Sequence, residues 1–121
     1  MGSTTVTAWY PDSIAATWLA ARLAVEPAKI DLMRRNGELI AVREPGSIEW
    51  RYPAWQFAAW KPRRGVTRIV AAARDAGMDE DRLYDVLTAP LGLRESGRQR
   101  LVDLLREGRE DEVVAAVKAA R

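Results

Sequence analysis

A break at Val25-Glu26-Pro27 constrains this chain more than any other feature. It closes one short apolar helix, which ends through Ala20-x-x-Leu23, and opens another. Proline suits the first turn of a helix, where the amide it lacks would have no partner anyway. Asp12 or Ser13 can cap the first helix, which is expected to run to about Ala24. Ile14, Trp18 and Leu19 then fall near one face. The second helix is expected over Pro27–Arg35, with Ile30 and Met33 toward the core. Gly37 after Asn36 supplies its left-handed stop. Two apolar helices joined by a tight turn, with bases on the second, form the skeleton of a helix-turn-helix.

Two β-type runs follow, Leu39–Arg43 and Ser47–Tyr52, flanking Glu44-Pro45-Gly46-Ser47. Ile40 and Val42 alternate with Ala41 and Arg43, and Ile48, Trp50 and Tyr52 with Glu49 and Arg51. That period around a Pro-Gly turn predicts a half-buried hairpin where a wing would sit. Pro53 ends the second run. Ala54–Trp60 reads as a short aromatic helix or turn, with Trp55 and Phe57 packed back on the wing. The aromatic residues Trp50, Tyr52, Trp55, Phe57 and Trp60 could stack single strands. Core for a small domain is the stronger reading.

One face therefore gathers a short basic helix and a basic ribbon. Lys29, Arg34 and Arg35 are the candidates to meet phosphates or base edges in the major groove. Arg43 and Arg51 would flank them from the wing, with Arg63 and Arg64, beside Lys61, against the backbone. The plain alternative is a set of solvated surface bases. Arg34 and Arg35 also sit where a helix C-terminus favours positive charge without any DNA. Glu26 and Asp31 lean the other way, since acids near phosphates cost affinity.

After the linker Lys61–Gly65 the pattern is helical throughout. Val66, Ile69, Val70 and Ala73 form one stripe, ended by Gly77. Asp79 can cap a helix containing Leu83, Val86 and Leu87, ended near Pro90. A loop at Leu91–Gly97 precedes a helix marked by Leu101, Leu104 and Leu105 and stopped by Gly108. Val113, Val114 and Val117 mark the last helix, whose first turn holds Glu110, Asp111 and Glu112, suited to the positive end of its dipole. Leu104 and Leu105 diverge by about 100°, so Leu101, Leu104 and Leu105 are not all expected to face inward. One of them, with Arg98 in the preceding loop, is the candidate partner contact. The apolar surplus of these helices points to self-association as a homodimer. The expected fold is mainly α: a winged helix-turn-helix with one β-hairpin over residues 12–60, a linker over 61–65 and a helical partner-binding module over 66–121.

Composition narrows the chemistry. Of 121 residues, 48% are apolar, too many for a disordered chain. No run approaches the ~20 apolar residues of a membrane span. The start shows no basic region followed by an apolar stretch, so no signal peptide is expected. The absence of cysteine excludes disulfides and thiolate chemistry and fits a cytoplasmic protein. The absence of histidine removes the usual general base and the commonest transition-metal ligand. No enzyme activity, metal or cofactor is expected. Residues 1–65 hold nine Lys/Arg against six Asp/Glu, and residues 66–121 ten against eleven. That tilts the first half toward an anionic partner, double-stranded DNA.

Two resemblances sharpen these expectations. The pattern Ala20-x-x-Leu23-Ala24-Val25-x-Pro27-x-Lys29-Ile30-x-x-Met33-Arg34-Arg35-x-Gly37-Glu38-Leu39, followed by Arg51-Tyr52-Pro53-Ala54-Trp55-Gln56-Phe57, resembles the winged helix-turn-helix of the MerR and excisionase kind. Members of that group usually carry Gly where Ala24 stands and Ser or Thr where Glu26 stands. Leu87-Thr88-Ala89-Pro90-Leu91, then Gly97-Arg98-x-x-Leu101-Val102-Asp103-Leu104-Leu105-Arg106-Glu107-Gly108-Arg109 and Glu112-Val113-Val114, resembles the toxin-binding domain of Xre/MbcA/ParS antitoxins. Together they imply a transcriptional regulator that represses its operon and neutralises a RES-type toxin that consumes NAD. A stand-alone regulator, similar to a group of actinobacterial winged-helix proteins, is the alternative. A pure interaction protein that has lost DNA is another.

Overall fold

A computed structural model of the chain describes residues 10–91 and 99–120. The fold is mainly helical, a winged helix-turn-helix followed by a helical module. Its start differs from the expectation in one respect. Ser13–Ala15 (β1) is extended, and the first helix, Ala16–Leu23 (α1), begins after it. Neither Asp12 nor Ser13 caps that helix; its N-cap is Ala15, with no side-chain bond. Asp12 instead accepts from Trp55 Nε1 and from the Tyr84 hydroxyl, each at 2.8 Å. It thereby ties the start of the described chain to the second half.

Ala24 ends α1 in the left-handed region, at φ 58°. Val25 N then bonds to Ala20 O at 3.0 Å, which turns the chain sharply into Pro27–Arg35 (α2). Arg51–Pro53 (β2) pairs antiparallel with β1, Ile14 opposite Tyr52. The run at 39–43 makes no extended ladder. Val42 and Arg51 exchange both backbone bonds, at 2.9 and 2.8 Å, and this one bridge closes the wing. The partner that the hairpin pattern assigned to Tyr52 is replaced by β1, which the sequence reading placed in a helix.

Ala54–Gln56 forms a 3-10 turn. Phe57–Ala58 (β3) and Lys61–Pro62 (β4) then make a tight hairpin. Its two central residues, Ala59 and Trp60, both have positive φ, the conformation that suits a two-residue hairpin turn. The segment expected as a linker is thus ordered: Lys61 and Pro62 are paired, and Arg63 N bonds to Gln56 O at 2.7 Å.

Four helices follow among the described residues: Val66–Asp75 (α3), Glu80–Thr88 (α4), Leu101–Arg106 (α5) and Glu110–Ala119 (α6). Asp79 caps α4 as expected, accepting from Arg82 N at 2.9 Å. The stripe Val66, Ile69, Val70 and Ala73 is buried, as are Leu83, Leu87, Val113, Val114 and Val117.

Two apolar clusters result. One lies among α1, α2 and β2, around Leu19, Ile30, Leu39 and Tyr52. The other fills the space among α3 to α6 and also takes in Ile40 and Trp55. Trp55 packs into the helical module, not back on the wing. Phe57 stays with the first cluster. No helix among the described residues is long and apolar enough to cross a membrane.

Candidate nucleic-acid interface

Helix α2 fully buries one residue, Ile30, at 0% exposure. Each step along a helix turns about 100°, so Leu32 points about 200° away from Ile30. Leu32 is 45% exposed. Ala28, Lys29, Arg35 and Asn36 lie within about 60° of Leu32 on the wheel, and all are exposed. Pro27 sits at the first helical position, and Arg74 of α3 closes the other end. Its guanidinium donates to the carbonyls of Arg34 and Arg35, at 3.1 and 3.3 Å. A cation there also complements the helix dipole.

The three basic residues of α2 have different surroundings. Lys29 is exposed on the outer face. Arg35 is exposed and pairs with Asp31 Oδ2 at 2.7 Å. Arg34 is drawn inward, its side chain 17% exposed. It donates to Asp31 Oδ1 and lies over the Trp50 indole, 4.3 Å from the ring centroid. Arg34 is therefore a tie between helix and wing, not an outward base reader. Asp31 is held below the usual carboxylate range, chiefly by the hydrogen bond from Arg34 and further by the charge of Arg35. Its negative charge is matched within the helix by two guanidiniums.

The wing repeats this division. Arg43 is exposed and also lies over Trp50, at 4.4 Å. Only the Arg34 contact crosses from α2 to the wing; the Arg43 contact lies within the wing. Such a stack is worth roughly 0.5–1 kcal/mol, or somewhat more where it is shielded from water, as at Arg34. Arg51 turns away from the wing surface. Its Nε donates to Ser13 Oγ and its Nη2 to Ser13 O, both at 3.0 Å, clamping β1 on β2. The expectation that Arg51 lines the outer face fails because the chain pairs that strand with β1. Ile48, expected on the inner face with Tyr52, is 87% exposed. It lies beyond the single closing bridge, where the loop has left the body of the protein. Between the wing and the first turns of α1 and α2 runs a cleft of about 220 Å³, lined in part by Thr17, Asp31, Glu49 and Trp50.

The bases after the wing divide too. Arg63 Nε donates to Trp55 O at 2.9 Å, which makes it a brace of the 3-10 turn. Arg64 is 91% exposed, with its Nε 3.6 Å from a Glu110 carboxylate oxygen.

The candidate partner residues are differently placed. Leu101, Leu104 and Leu105 are all buried, at 4, 6 and 2% exposure. The angular argument holds for a helix lying on a surface. Helix α5 is enclosed by α4, α6 and the 3-10 turn, so opposite sides of it are covered. Arg98 lies outside the described residues. Among those described, the large apolar side chains left exposed are Trp18, Leu32 and Ile48, all in the first half. Trp18 meets Trp60 edge-on at 5.1 Å under the Arg22 guanidinium.

Leu32 and the linking role of Trp50 escaped the sequence reading. The signal for Leu32 was available: once Ile30 is assigned inward, its second neighbour must point out.

No protein-family model matches the chain. No curated protein matches it. Among solved structures, it is similar to an NMR structure of Rv2175c, with a TM-score of 0.78 and 23% sequence identity. That likeness covers 98% of this chain and 86% of the other, so it extends over both halves of the fold.

Proposed function

We propose that the chain binds double-stranded DNA, with α2 in the major groove and the wing beside it, as a transcriptional regulator. The observation that carries this reading is the outer face of α2. A nine-residue helix fixed to the body through Ile30 presents Lys29, Leu32 and Arg35 together with its C-cap Asn36, and the exposed Arg43 of the wing covers the same Trp50 ring as Arg34 of that helix. A major groove admits a helix of that size, and cations at its margins suit phosphates. The internal pairing of Asp31 answers the objection that its charge repels DNA. One short helix covers a small footprint, so two copies on half-sites about one helical turn apart belong to the proposal.

Neutralisation of a RES-type toxin rests on resemblance. The burial of Leu101, Leu104 and Leu105 favours the stand-alone regulator, because the leucines offered for a toxin contact are consumed by the core. The same burial removes the apolar surplus that pointed to dimer formation through the last helices.

The test is binding of the full chain to random-sequence duplex DNA across a range of salt. Lys29, Arg35 and Arg43 each neutralising one phosphate give a slope of about −3 in log K against log salt per protomer. Binding that ignores salt, or none at low salt, would remove the DNA reading.

A further inference from the structure

We propose that Leu32 reads thymine: its side chain meets the C5-methyl group of a T·A pair and makes α2 selective for that pair at one position. This rests on the DNA reading above and adds to it a residue and a base.

Leu32 is held outward by the geometry of its own helix, since the fully buried Ile30 stands on the opposite side. A lone exposed apolar residue needs no explanation by itself. Leu32 is placed differently, at the centre of a face with defined margins. Lys29 and Arg35 lie one turn to either side and carry charge suited to phosphates. Ala28, one turn before, is small and permits close approach. Arg34, the arginine whose fork would suit guanine, is withdrawn onto Asp31 and Trp50. What α2 brings to the groove floor is thus an apolar group between cations.

In the major groove thymine alone presents a methyl group; cytosine has only a C5–H at that place, and the rest of each pair's edge is donors and acceptors. A leucine set over a G·C pair would shut those groups from water with no partner, which is costly. Over T·A, which also carries donors and acceptors, part of that cost is offset because the leucine covers the thymine methyl group, carbon on carbon. The same contact therefore attracts the right pair and penalises the wrong one.

Uracil in place of thymine keeps base pairing and removes only the methyl group. A preferred duplex is first selected from a randomised pool with the full-length protein. Each thymine in that duplex is then replaced by uracil in turn. The expected result is one position per half-site at which uracil weakens binding roughly fourfold, the worth of one buried carbon group. Leu32→Ala, an exposed substitution, should weaken binding to the thymine duplex by a similar factor and bind the uracil duplex equally well. Binding that no single uracil affects would overturn the role of Leu32 and leave the DNA reading standing. Methyl dependence that survives in Leu32→Ala would also overturn it, because another residue would then be the reader. Absence of any duplex binding at low salt would end both proposals.

Discussion

The side-chain amide of Gln56 holds Ile40 at both ends. Its Oε1 accepts from Ile40 N and its Nε2 donates to Ile40 O, each at 2.7 Å, while Nε2 also donates to Pro53 O at 3.1 Å. Gln56 is 0% exposed. It stands in for the neighbouring strand that the run at 39–43 lacks, and so lets the wing leave the body without orphaning buried backbone groups.

Gln56→Leu should accordingly cost roughly 2–5 kcal/mol, since it leaves an N–H and a carbonyl of Ile40 buried without partners. Chemical denaturation measures it. Stability within 0.5 kcal/mol of the parent would show that water or a shifted loop replaces the amide.

The helices were the readable part of this fold. The α3 stripe, the Asp79 cap and the Pro27 start follow from period and local chemistry, which neighbours do not alter. The wing was less readable because strand pairing is non-local. Ser13–Ala15 looks like the first turn of a helix, and only its distant partner Arg51–Pro53 makes it extended. That one pairing also takes Arg51 out of the candidate site. Arg34 and Arg63 left the outward-facing set for a related reason. Charge is visible in a sequence, but the Asp31 carboxylate, the Trp50 ring and the Trp55 carbonyl that engage it are placed by the fold. Lys29, Arg35 and Arg43 remain on the exposed surface.

Leu105→Asp should unfold the module outright. An unpaired charge would enter a site now 2% exposed, on a helix enclosed from several sides. Circular dichroism should show the cooperative melt lost or shifted far down. A folded variant with a near-parental melt would return Leu105 to the surface and reopen the toxin-contact reading.

Backbone sign offers a paired test. Gly65 opens α3 at φ 93°, and a Cβ there would overlap the Cβ of Glu110 on α6. Gly65→Ala should destabilise by at least about 1–3 kcal/mol from the left-handed strain alone. Ala24 occupies the left-handed region with a side chain, at φ 58°. Ala24→Gly should move stability the other way, by up to about 1 kcal/mol. Thermal melts of the two variants shifting in the same direction would contradict this account of the two turns.

All three tyrosines should resist ionisation. Tyr10 and Tyr84 are held far above the usual phenol range, first by burial and then by hydrogen bonds to Asp81 and Asp12 respectively. Burial likewise raises Tyr52. A raised folded-state value means the unfolded chain releases its protons first. Stability from these groups is therefore complete below about pH 10 and declines as pH rises through the folded values. Ultraviolet titration should show little tyrosinate at about pH 10 in the folded chain and about half ionisation in denaturant. Equal titration in both would contradict the clasp between Asp12, Tyr84, Tyr10 and Asp81.

The most direct test of the central claim is amide chemical-shift mapping of the full chain as random-sequence duplex DNA is added at low salt. Changes should concentrate on residues 28–36, from α2 to its C-cap, and on 43–49 of the wing, and reverse with added salt, with α4 and α6 unmoved. Changes centred on α4 to α6, or none at all, would contradict it.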